Sequence, residues 1–273
     1  MKIISWNVNG LRAVHKRPSI AKAKEGKNFL GWLKEGKVDI VCLQEIKAQM
    51  DKIPAELNDP AGYFSFYNPA VRPGYSGTAV FTKQKPLKVM TKIGFEQFDN
   101  EGRMLRLDFP DFILINFYLP HGGRGKENLE YKLEVYRYLF KYLKKINSPH
   151  LSPPLGRGGG LPVVLVGDFN IAHEEIDLAR PKENKNNIMF TPEERAQIDK
   201  LVKIGFADTF RQLHPSEPKY TWWPYFANAR ARDLGWRIDY AFVSKKLAPK
   251  LKRAEILTDV LGSDHCPIAV EIK

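Results

Sequence analysis

Cysteine is scarce in this chain, whose 273 residues include only Cys42 and Cys266, each inside an apolar run. Two cysteines cannot form a disulfide framework, and neither has a second cysteine or a histidine at zinc-finger spacing. These absences exclude a disulfide-rich scaffold and a structural zinc module. We expect both thiols to lie reduced in a hydrophobic core.

Long hydrophobic runs are also missing. No apolar run approaches the roughly 20 residues that a membrane span requires. The first residues, MKIISWNVNG, turn polar too early for a signal peptide. The sequence therefore predicts a soluble, prokaryote-like cytoplasmic protein with no membrane partner and no targeting segment.

Acidic residues are the minority charge, with 31 Asp and Glu against 43 Lys and Arg and a net charge of +12. Such a surplus favours a polyanionic partner, because lysine and arginine that meet phosphates release bound counterions. A basic surface that is merely solvated is the alternative interpretation. Charge alone therefore favours nucleic acid or another phosphate-rich partner.

The composition, 43% hydrophobic and 27% charged, suits one globular domain over residues 1–273. One segment does not fit a packed core. NSPHLSPPLGRGGGLP, from Asn147 to Pro162, is rich in proline and glycine and predicts a mobile loop. A linker between two domains is the other interpretation, which we disfavour because the polar residues on both sides suit a single site.

Short apolar runs dominate the pattern and predict buried strands. Most of them are followed by polar residues that can bind a metal or a phosphate, and one holds such a residue in its middle. The runs are KIISWNVNG, VDIVCLQE, DFILINFYLPHGGRG, LPVVLVGDFN, WRIDYAFVS with Asp239 in its middle, and GSDHCPIAV. Loops at strand ends are where layered α/β folds build their sites.

Three helices are predicted between the strands. Lys126 to Ile146 carries one apolar stripe at spacings of three and four residues, and a shorter helix covers Asn28 to Lys34. A third helix starts with Thr191 as N-cap, Pro192 at the first helical position and Glu194 closing a capping box, and it ends at Gly205.

Four carboxylates, those of Glu45, Asp168, Asp239 and Asp264, lie next to apolar strands. Each alone has an ordinary explanation, such as a turn, a helix cap or a structural Asp–His pair. Together they repel one another, and a hard divalent cation would offset that repulsion, since Mg²⁺ prefers carboxylate and amide oxygens. Acids, a histidine and a metal in a basic protein suit metal-assisted phosphodiester hydrolysis.

The ordered motifs of the chain closely resemble the exonuclease III family of abasic-site DNA endonucleases, within the endonuclease/exonuclease/phosphatase superfamily. The motifs are WNVNGLRA, LQEIK, GYSGTAVFTK, YLPHGGRG, GDFNIAHEEIDLARPKENKNN, FTPEERA, YTWWPYFANARARDLGWRIDY and GSDHCPI. They span the chain except for the Pro/Gly segment and the region around residues 17–27. The resemblance implies a four-layer α/β sandwich, in which two mixed β-sheets lie face to face between flanking helices.

The resemblance also implies the activity. It implies a monomeric, Mg²⁺-dependent enzyme of base excision repair, with Mn²⁺ as a substitute, that cleaves duplex DNA 5′ to an abasic site and leaves a 3′-hydroxyl. Exonuclease, 3′-phosphatase or damaged-base incision would be side activities.

Site roles follow from positions that match the family. The matched metal-binding group is Asn7, Glu45, Asp168, Asn170, Asp264 and His265, and the matched catalytic group is Tyr118, Asp168, Asn170, Asp239 and His265. Asp168 is expected to accept a proton from the attacking water, and His265 to contact the phosphate while Asp239 orients its ring. Whether Asp168 or His265 takes the proton, and whether one or two metals act, stays open.

The matched DNA-binding positions are Arg124, Lys126, Asn184, Asn187, Trp222, Arg230, Trp236 and Ile238. Among them, Trp222, Trp236 and Ile238 match an apolar pocket for a flipped-out sugar that lacks its base. Two positions depart from the family pattern. Asn9 stands where some relatives carry Asp, and His121 stands where relatives usually carry Asn or Gln.

Two other functions remain open at this point. A phosphoesterase of the same fold acting on RNA tails, inositol phosphates or lipid head groups is the nearest, but WRIDY with its preceding context and ARPKEN favour the DNA-repair branch. A non-catalytic DNA-binding module is the other, and it gives no reason to gather acids in a basic protein.

Overall fold

The computed structural model describes residues 1–16, 29–35, 37–60, 62–147 and 160–273. Its strands are β1 (Lys2–Asn7), β2 (Ile40–Gln44), β3 (Phe64–Asn68), β4 (Thr78–Thr82), β5 (Lys88–Met90), β6 (Met104–Asp108), β7 (Ile113–Tyr118), β8 (Val163–Asp168), β9 (Phe206–Asp208), β10 (Asp239–Ser244), β11 (Leu251–Ile256) and β12 (Ile268–Ile272). Its α-helices are α1 (Leu11–Lys16), α2 (Phe29–Glu35), α3 (Ala55–Asn58), α4 (Glu96–Asn100), α5 (Leu129–Asn147), α6 (Pro192–Lys203) and α7 (Thr209–Leu213).

The strands form two six-stranded sheets, in the orders β11-β12-β1-β2-β4-β3 and β5-β6-β7-β8-β10-β9. Both sheets are mixed, because β1 pairs with β2 and β7 with β8 in parallel while the other pairs are antiparallel. In each parallel pair the carboxyl ends of the two strands reach the same edge of the sheet. That edge is where the predicted site residues follow the strands.

The main core lies between the two sheets and joins side chains such as Val80 and Val270 of one sheet to Leu114 and Val166 of the other. The outer face of the second sheet packs against α5 and α6, and that of the first sheet against α1 and α2. The layers are therefore helix, sheet, sheet and helix, which confirms the predicted α/β sandwich. Cys42 and Cys266 are buried free thiols in the central core.

A buried polar cluster also joins the sheets near the edge that carries the site. The Gln44 amide nitrogen donates to Ser5 Oγ at 2.9 Å and to Asn116 Oδ1 at 2.7 Å, and the Asn116 amide donates to the Leu43 carbonyl at 2.9 Å. Buried amides that are paired in this way specify one alignment of the elements that carry them. The cluster thus aligns β1 and β2 with β7 one residue before Glu45.

The helix predictions compare closely with the structure. The third predicted helix is confirmed, because Thr191 caps α6, Glu194 completes the capping box, and Gly205 follows with a φ of +104°. The apolar stripe begins its helix at Leu129 rather than Lys126. The shorter helix occupies 29–35, and position 28 lies outside the described residues, as does most of the Pro/Gly segment, positions 148–159.

One strand prediction is wrong in detail. Asp239 was expected in the middle of its strand, but it is the first residue of β10. Trp236 instead forms isolated bridges with Trp222 and Leu178. This pairing turns the chain before Asp239, so the carboxylate lies at the sheet edge and opposite Asp168 in the β8–β10 register. No described helix has the length and apolar character needed to cross a membrane.

Candidate active site

A cavity of about 820 Å³ opens at the shared sheet edge. Most of the predicted site residues line it: Asn7, Glu45, Tyr118, Arg124, Asp168, Asn170, Asn184, Asn187, Trp222, Trp236, Ile238, Asp264 and His265. Both sheets contribute, because β1 and β2 end there in one sheet and β7 and β8 in the other. Three predicted residues, Lys126, Arg230 and Asp239, are not part of its lining.

Gly167 allows the strands at the cavity to approach closely. Its φ is +138°, and a Cβ at this position would lie 1.8 Å from the carbonyl oxygen of Phe117. Only glycine tolerates that conformation and contact. The absent side chain lets β7 and β8 pair so that Tyr118 lies beside Asp168 in register.

Asp168 is buried and held by two donors. The Asn7 side-chain amide donates to its Oδ2 at 2.9 Å, and the backbone N–H of Asn170 donates to its Oδ1 at 2.8 Å. Burial and the neighbouring Asp239 charge raise the pKa of Asp168 to about 7, although His265 and Asn7 oppose that rise. A carboxylate with a pKa near neutrality can exchange a proton with bound water.

His265 and Asp239 form a buried pair with a distance of 2.8 Å between His265 Nδ1 and Asp239 Oδ2. His265 Nε2 lies 3.9 Å from Asp168 Oδ2, so the imidazole stands between two carboxylates. Burial alone would lower the pKa of His265, but Asp239, followed by Asp168 and Asp264, raises it to about 10. The ring is therefore an imidazolium at neutral pH, and His265 lines the cavity.

Asp264 directly precedes His265 in the chain and also lines the cavity. Its carboxylate accepts hydrogen bonds from Asn9 Nδ2 at 2.9 Å and from Trp222 Nε1 at 3.0 Å. Burial opposes ionisation, but His265 and these two donors hold the pKa of Asp264 below its usual value. Asp264 is thus an anion at neutral pH, tied to the aromatic wall through Trp222.

Glu45 shares a cation with Asn9 in this structure. The Lys47 ammonium lies 2.8 Å from Glu45 Oε1 and donates to Asn9 Oδ1 at 2.6 Å. A carboxylate and an amide oxygen that converge on one positive charge are donors suited to a hard divalent ion. Asp168, Asp239 and His265 form a second group whose ligand atoms lie within 4.8 Å of one another.

Asp239 adds an observation that bears on a metal. Its Oδ1 is buried and has no hydrogen-bond partner among the described residues. Buried carboxylate oxygens normally have partners, and an ion or an ordered water is the usual explanation for one that has none. The residues present therefore fit a metal ion.

Backbone strain is concentrated around the cavity. Five non-glycine residues that line it have a positive φ: Asn9 at 46°, Glu45 at 56°, Lys47 at 50°, Asn170 at 52° and Met189 at 69°. Asparagine tolerates this region, but glutamate, lysine and methionine adopt it at a cost. Such strain occurs mainly where surrounding structure fixes a functional side chain.

Tyr118 is held by a residue that the sequence did not reveal. The buried Arg103 guanidinium lies 4.5 Å from the centre of the Tyr118 ring and donates to the Tyr118 carbonyl at 3.1 Å. It also donates to the Tyr75 hydroxyl at 2.9 Å. Burial, followed by the charge of Glu45, raises the pKa of the Tyr118 phenol well above its ordinary value, so its hydroxyl keeps its proton.

An aromatic wall closes one side of the cavity. Trp222 and Trp236 are half-buried and pair through their backbones, and Ile238 is buried beside them. Trp223 is 3% exposed and belongs to the central core. The sequence did not single out Tyr225 and Phe226, which line the cavity while 74% and 67% exposed.

The predicted DNA contacts differ in placement. Arg124, Asn184 and Asn187 line the cavity, and the last two are joined by a 3.1 Å amide hydrogen bond. Arg230 lies outside the cavity lining, and its guanidinium donates to the carbonyls of Ser263, Thr258 and Val260, so its contact with DNA stays a prediction. It also lies 4.7 Å from the Trp223 ring, so its donors fasten the loop before Asp264.

His121 lines the cavity as a neutral imidazole. Burial, and next the positive charge of Lys132, lower the pKa of His121 to about 4. Lys132 itself is fully buried. The burial of Lys132 could have been predicted from the sequence, because Lys132 lies three residues after Leu129 and four before Tyr136, inside the apolar stripe of α5.

This fold and this site define a phosphodiester hydrolase of the nuclease type. The sequence profile of the Endonuclease/Exonuclease/phosphatase family matches residues 4–265. The chain belongs to that family, and the predicted family membership and enzyme class are confirmed.

Two curated relatives match nearly the whole chain. The Exodeoxyribonuclease of Bacillus subtilis is 42% identical over 273 residues, covering 100% of this chain and 99% of its own. The DNA repair nuclease APEX1 of Danio rerio is 41% identical, covering 99% of this chain and 81% of its own. The relatives are thus DNA-repair enzymes and exodeoxyribonucleases.

Solved structures agree with the fold. An AP endonuclease from Archaeoglobus fulgidus superposes with a TM-score of 0.84 at 29% identity, covering 100% of this chain and 99% of that one. The 3′ phosphatase NExo from Neisseria, solved with a product DNA hairpin, superposes with a TM-score of 0.85 at 28% identity over 100% and 99% of the two chains.

Proposed function

We propose that this protein is a Mg²⁺-dependent endonuclease that cleaves duplex DNA on the 5′ side of abasic sites and leaves a 3′-hydroxyl. One observation carries the proposal: Asp168 and His265 of the buried Asp168–Asp239–His265 group line the same cavity as an apolar tryptophan wall. A charged hydrolytic centre beside an apolar wall suits a phosphate whose neighbouring sugar has lost its base. Exonuclease and 3′-phosphatase activities are proposed side activities of the same site.

Metal binding is proposed for the oxygen donors around the cavity. Glu45, Asn7 and Asp264 would hold Mg²⁺ or, as a substitute, Mn²⁺, with Asp168 and Asn170 adjacent. A bound divalent ion would polarise the phosphate and neutralise charge that develops during cleavage. Lys47 marks the position beside Glu45 where a positive charge is already stabilised.

Three side chains of the protein have proposed roles in proton transfer and phosphate binding. Asp168, with a pKa near 7, is the proposed acceptor of the proton from the attacking water. The His265 imidazolium, oriented by Asp239 at 2.8 Å, would donate to a phosphate oxygen and stabilise its charge. The protonated Tyr118 hydroxyl provides a further donor to the phosphate.

The proposed preference for abasic sites rests on the apolar wall of the cavity. Trp222, Trp236 and Ile238 offer an apolar surface to a bare deoxyribose. An abasic nucleotide has no pairing to lose when it leaves the duplex, whereas an intact nucleotide loses a few kcal/mol. Arg124, Lys126, Asn184 and Asn187 are the proposed contacts to the DNA backbone.

We further propose that residues 1–273 act as one catalytic domain and as a monomer. A non-catalytic DNA-binding module is disfavoured, because binding alone does not explain a carboxylate with a raised pKa beside a buried imidazolium. The cytoplasmic location stays a prediction.

The test uses an end-labelled duplex with one abasic site, incubated with Mg²⁺ or with EDTA. We expect Mg²⁺-dependent incision 5′ to the lesion, at least about a thousandfold faster than incision of the intact duplex, because each 1.4 kcal/mol of selectivity is a factor of ten. Asp168→Asn serves as the control for contaminating nuclease. Equal cleavage of abasic and intact duplexes would reject the lesion preference, and cleavage in EDTA would reject the metal.

A further inference from the structure

A fully buried lysine lies beneath the floor of the cavity. Lys132, on α5, is 0% exposed, and so is Glu194, the acid that it pairs with at 2.5 Å. Its ammonium also donates to the carbonyl of Asn170 at 2.6 Å and to the carbonyl of His121 at 3.0 Å. An ammonium has three protons, so every donor is used.

The three acceptors come from three different segments that reach the cavity. His121 lies in the turn after β7, Asn170 follows β8, and Glu194 lies in the first turn of α6. Glu194 in turn accepts the backbone N–H groups of Met189 and Thr191 at 3.1 Å and 3.0 Å. His121, Asn170 and Met189 all line the cavity. One ammonium therefore joins three parts of its lining.

The aliphatic part of the Lys132 side chain packs against the turn that follows β7. Gly122 has a φ of +98°, and a Cβ there would lie 3.3 Å from Lys132 Cδ and 2.6 Å from Ile188 Cδ1. The turn after β7 thus needs glycine in order to lie over the lysine. The aliphatic part of Lys132 thus packs against Gly122, while its ammonium bonds to the carbonyl of His121 in the same turn.

The hydrogen bond from Lys132 to the Asn170 carbonyl connects the lysine to Asp168, the proposed proton acceptor, through the Asn170 backbone. Asn170 has a φ of 52°, and its N–H donates to Asp168 Oδ1 at 2.8 Å while its side chain donates to the Leu119 carbonyl at 2.9 Å. If its carbonyl were released, the residue could relax toward an ordinary backbone conformation. The N–H would then turn away from the Asp168 carboxylate.

We propose that Lys132 is a positioning residue for phosphodiester cleavage, which fixes the Asn170 backbone and the His121 turn and through them orients Asp168. The inference rests on the proposed function for its rate measurements and on the contacts of Lys132 for its structural ones. The competing explanation is that Lys132 only neutralises the buried charge of Glu194. The two explanations differ once that charge is removed.

The test compares Lys132→Met with Lys132→Met/Glu194→Gln. The single variant leaves a carboxylate buried without its partner and is expected to lose stability or fail to fold. The double variant removes that charge and is expected to fold. Its single-turnover rate on the abasic duplex should still fall about 100-fold, as displacements of about 1 Å at a reacting group can cause. Its Kd for the same duplex in EDTA should change less than threefold.

Arg106→Met is the matched control. Arg106 pairs with Asp108 at 2.6 Å, the two side chains are 14% and 17% exposed, and both residues lie outside the cavity lining. It should lower the unfolding midpoint without lowering the single-turnover rate. A double variant within threefold of the wild-type rate would overturn the proposal and leave Lys132 as a partner for Glu194 only.

Hydrogen exchange separates failure of this inference from failure of the proposed function. In the double variant, amides of residues 119–125 and 169–171 should exchange at least tenfold faster, while those of β1 and β2 stay unchanged. Unchanged exchange in both segments would overturn the proposal whatever the enzyme cleaves. A wild-type protein that leaves the abasic duplex intact would reject the proposed function and leave the exchange result valid.

Discussion

We expect the stability of the metal-free protein to fall in alkaline solution, and Asp239→Asn should remove that pH dependence. Asp239 lies 2.8 Å from His265 Nδ1 and keeps the imidazolium charged in a buried position. Asparagine preserves the shape and can donate to a neutral imidazole, but it supplies no negative charge. The pKa of His265, now about 10, should fall to its ordinary value or below, because burial alone lowers it.

The sign and size follow from linkage. A histidine whose folded pKa is raised contributes stability that is fully present below about pH 6.5 and is lost as the pH rises toward about 10. One proton is worth at most about 1.4 kcal/mol per pH unit, so the window from pH 7 to 10 bounds the loss at about 4 kcal/mol. Because His265 titrates together with Asp168, we expect about 2 kcal/mol or more in wild type and close to none in the variant.

Urea unfolding in EDTA at pH 7, 8, 9 and 10, followed by tryptophan fluorescence, measures the difference. Ionisable groups distant from residue 239 are the same in both proteins, so their contributions cancel in the difference between the two unfolding free energies. Asp108→Asn is the control, because its partner Arg106 does not titrate in this range. If the free energy of unfolding falls equally with pH in wild type and Asp239→Asn, His265 does not depend on Asp239 for its charge.

Three further predictions concern single residues. Gly167→Ala should cost at least about 3 kcal/mol of unfolding free energy and yield little folded protein, because its Cβ would overlap the Phe117 carbonyl; a normal thermal melting curve would contradict the close approach of β7 and β8. Glu45→Gln should raise the Mg²⁺ concentration for half-maximal cleavage about tenfold or more, since a hard-cation site loses a charged oxygen, and an unchanged titration would remove Glu45 from the ligands. Trp236→Ala should narrow the ratio of abasic to intact cleavage about tenfold, as the loss of one apolar contact allows, and an unchanged ratio would place the sugar elsewhere.

Local signals predicted those parts of the structure that depend on residues close together in the chain. The cap of α6 needs only Thr191, Pro192 and Glu194, and these three residues occupy the predicted roles. The polar residues that follow apolar runs predicted the edge of the sheets where the cavity opens. Glu45 and Asp168 were assigned to one site from the resemblance of the ordered motifs, because the strands that they end belong to different sheets.

The errors arose where a distant segment decides the conformation. The bridges between Trp236 and Trp222 start β10 at Asp239, and no local pattern reports a bridge across 14 positions. Arg230 was predicted to contact DNA from its matched position, and no sequence signal indicated that three of its donors bond to carbonyls of residues 258–263. A charged side chain is predicted to face water unless its partner is known, and that partner is set by the fold.

The sequence by itself determined the family, the α/β class and the residue types of the site, because those depend on composition, periodicity and motifs in order. Only the folded chain sets the positive φ of Glu45, the 2.8 Å pairing of His265 with Asp239 and the burial of Lys132. A pKa depends on distance and dielectric, and a buried charge depends on a partner from another segment. Neither quantity exists until the two sheets meet.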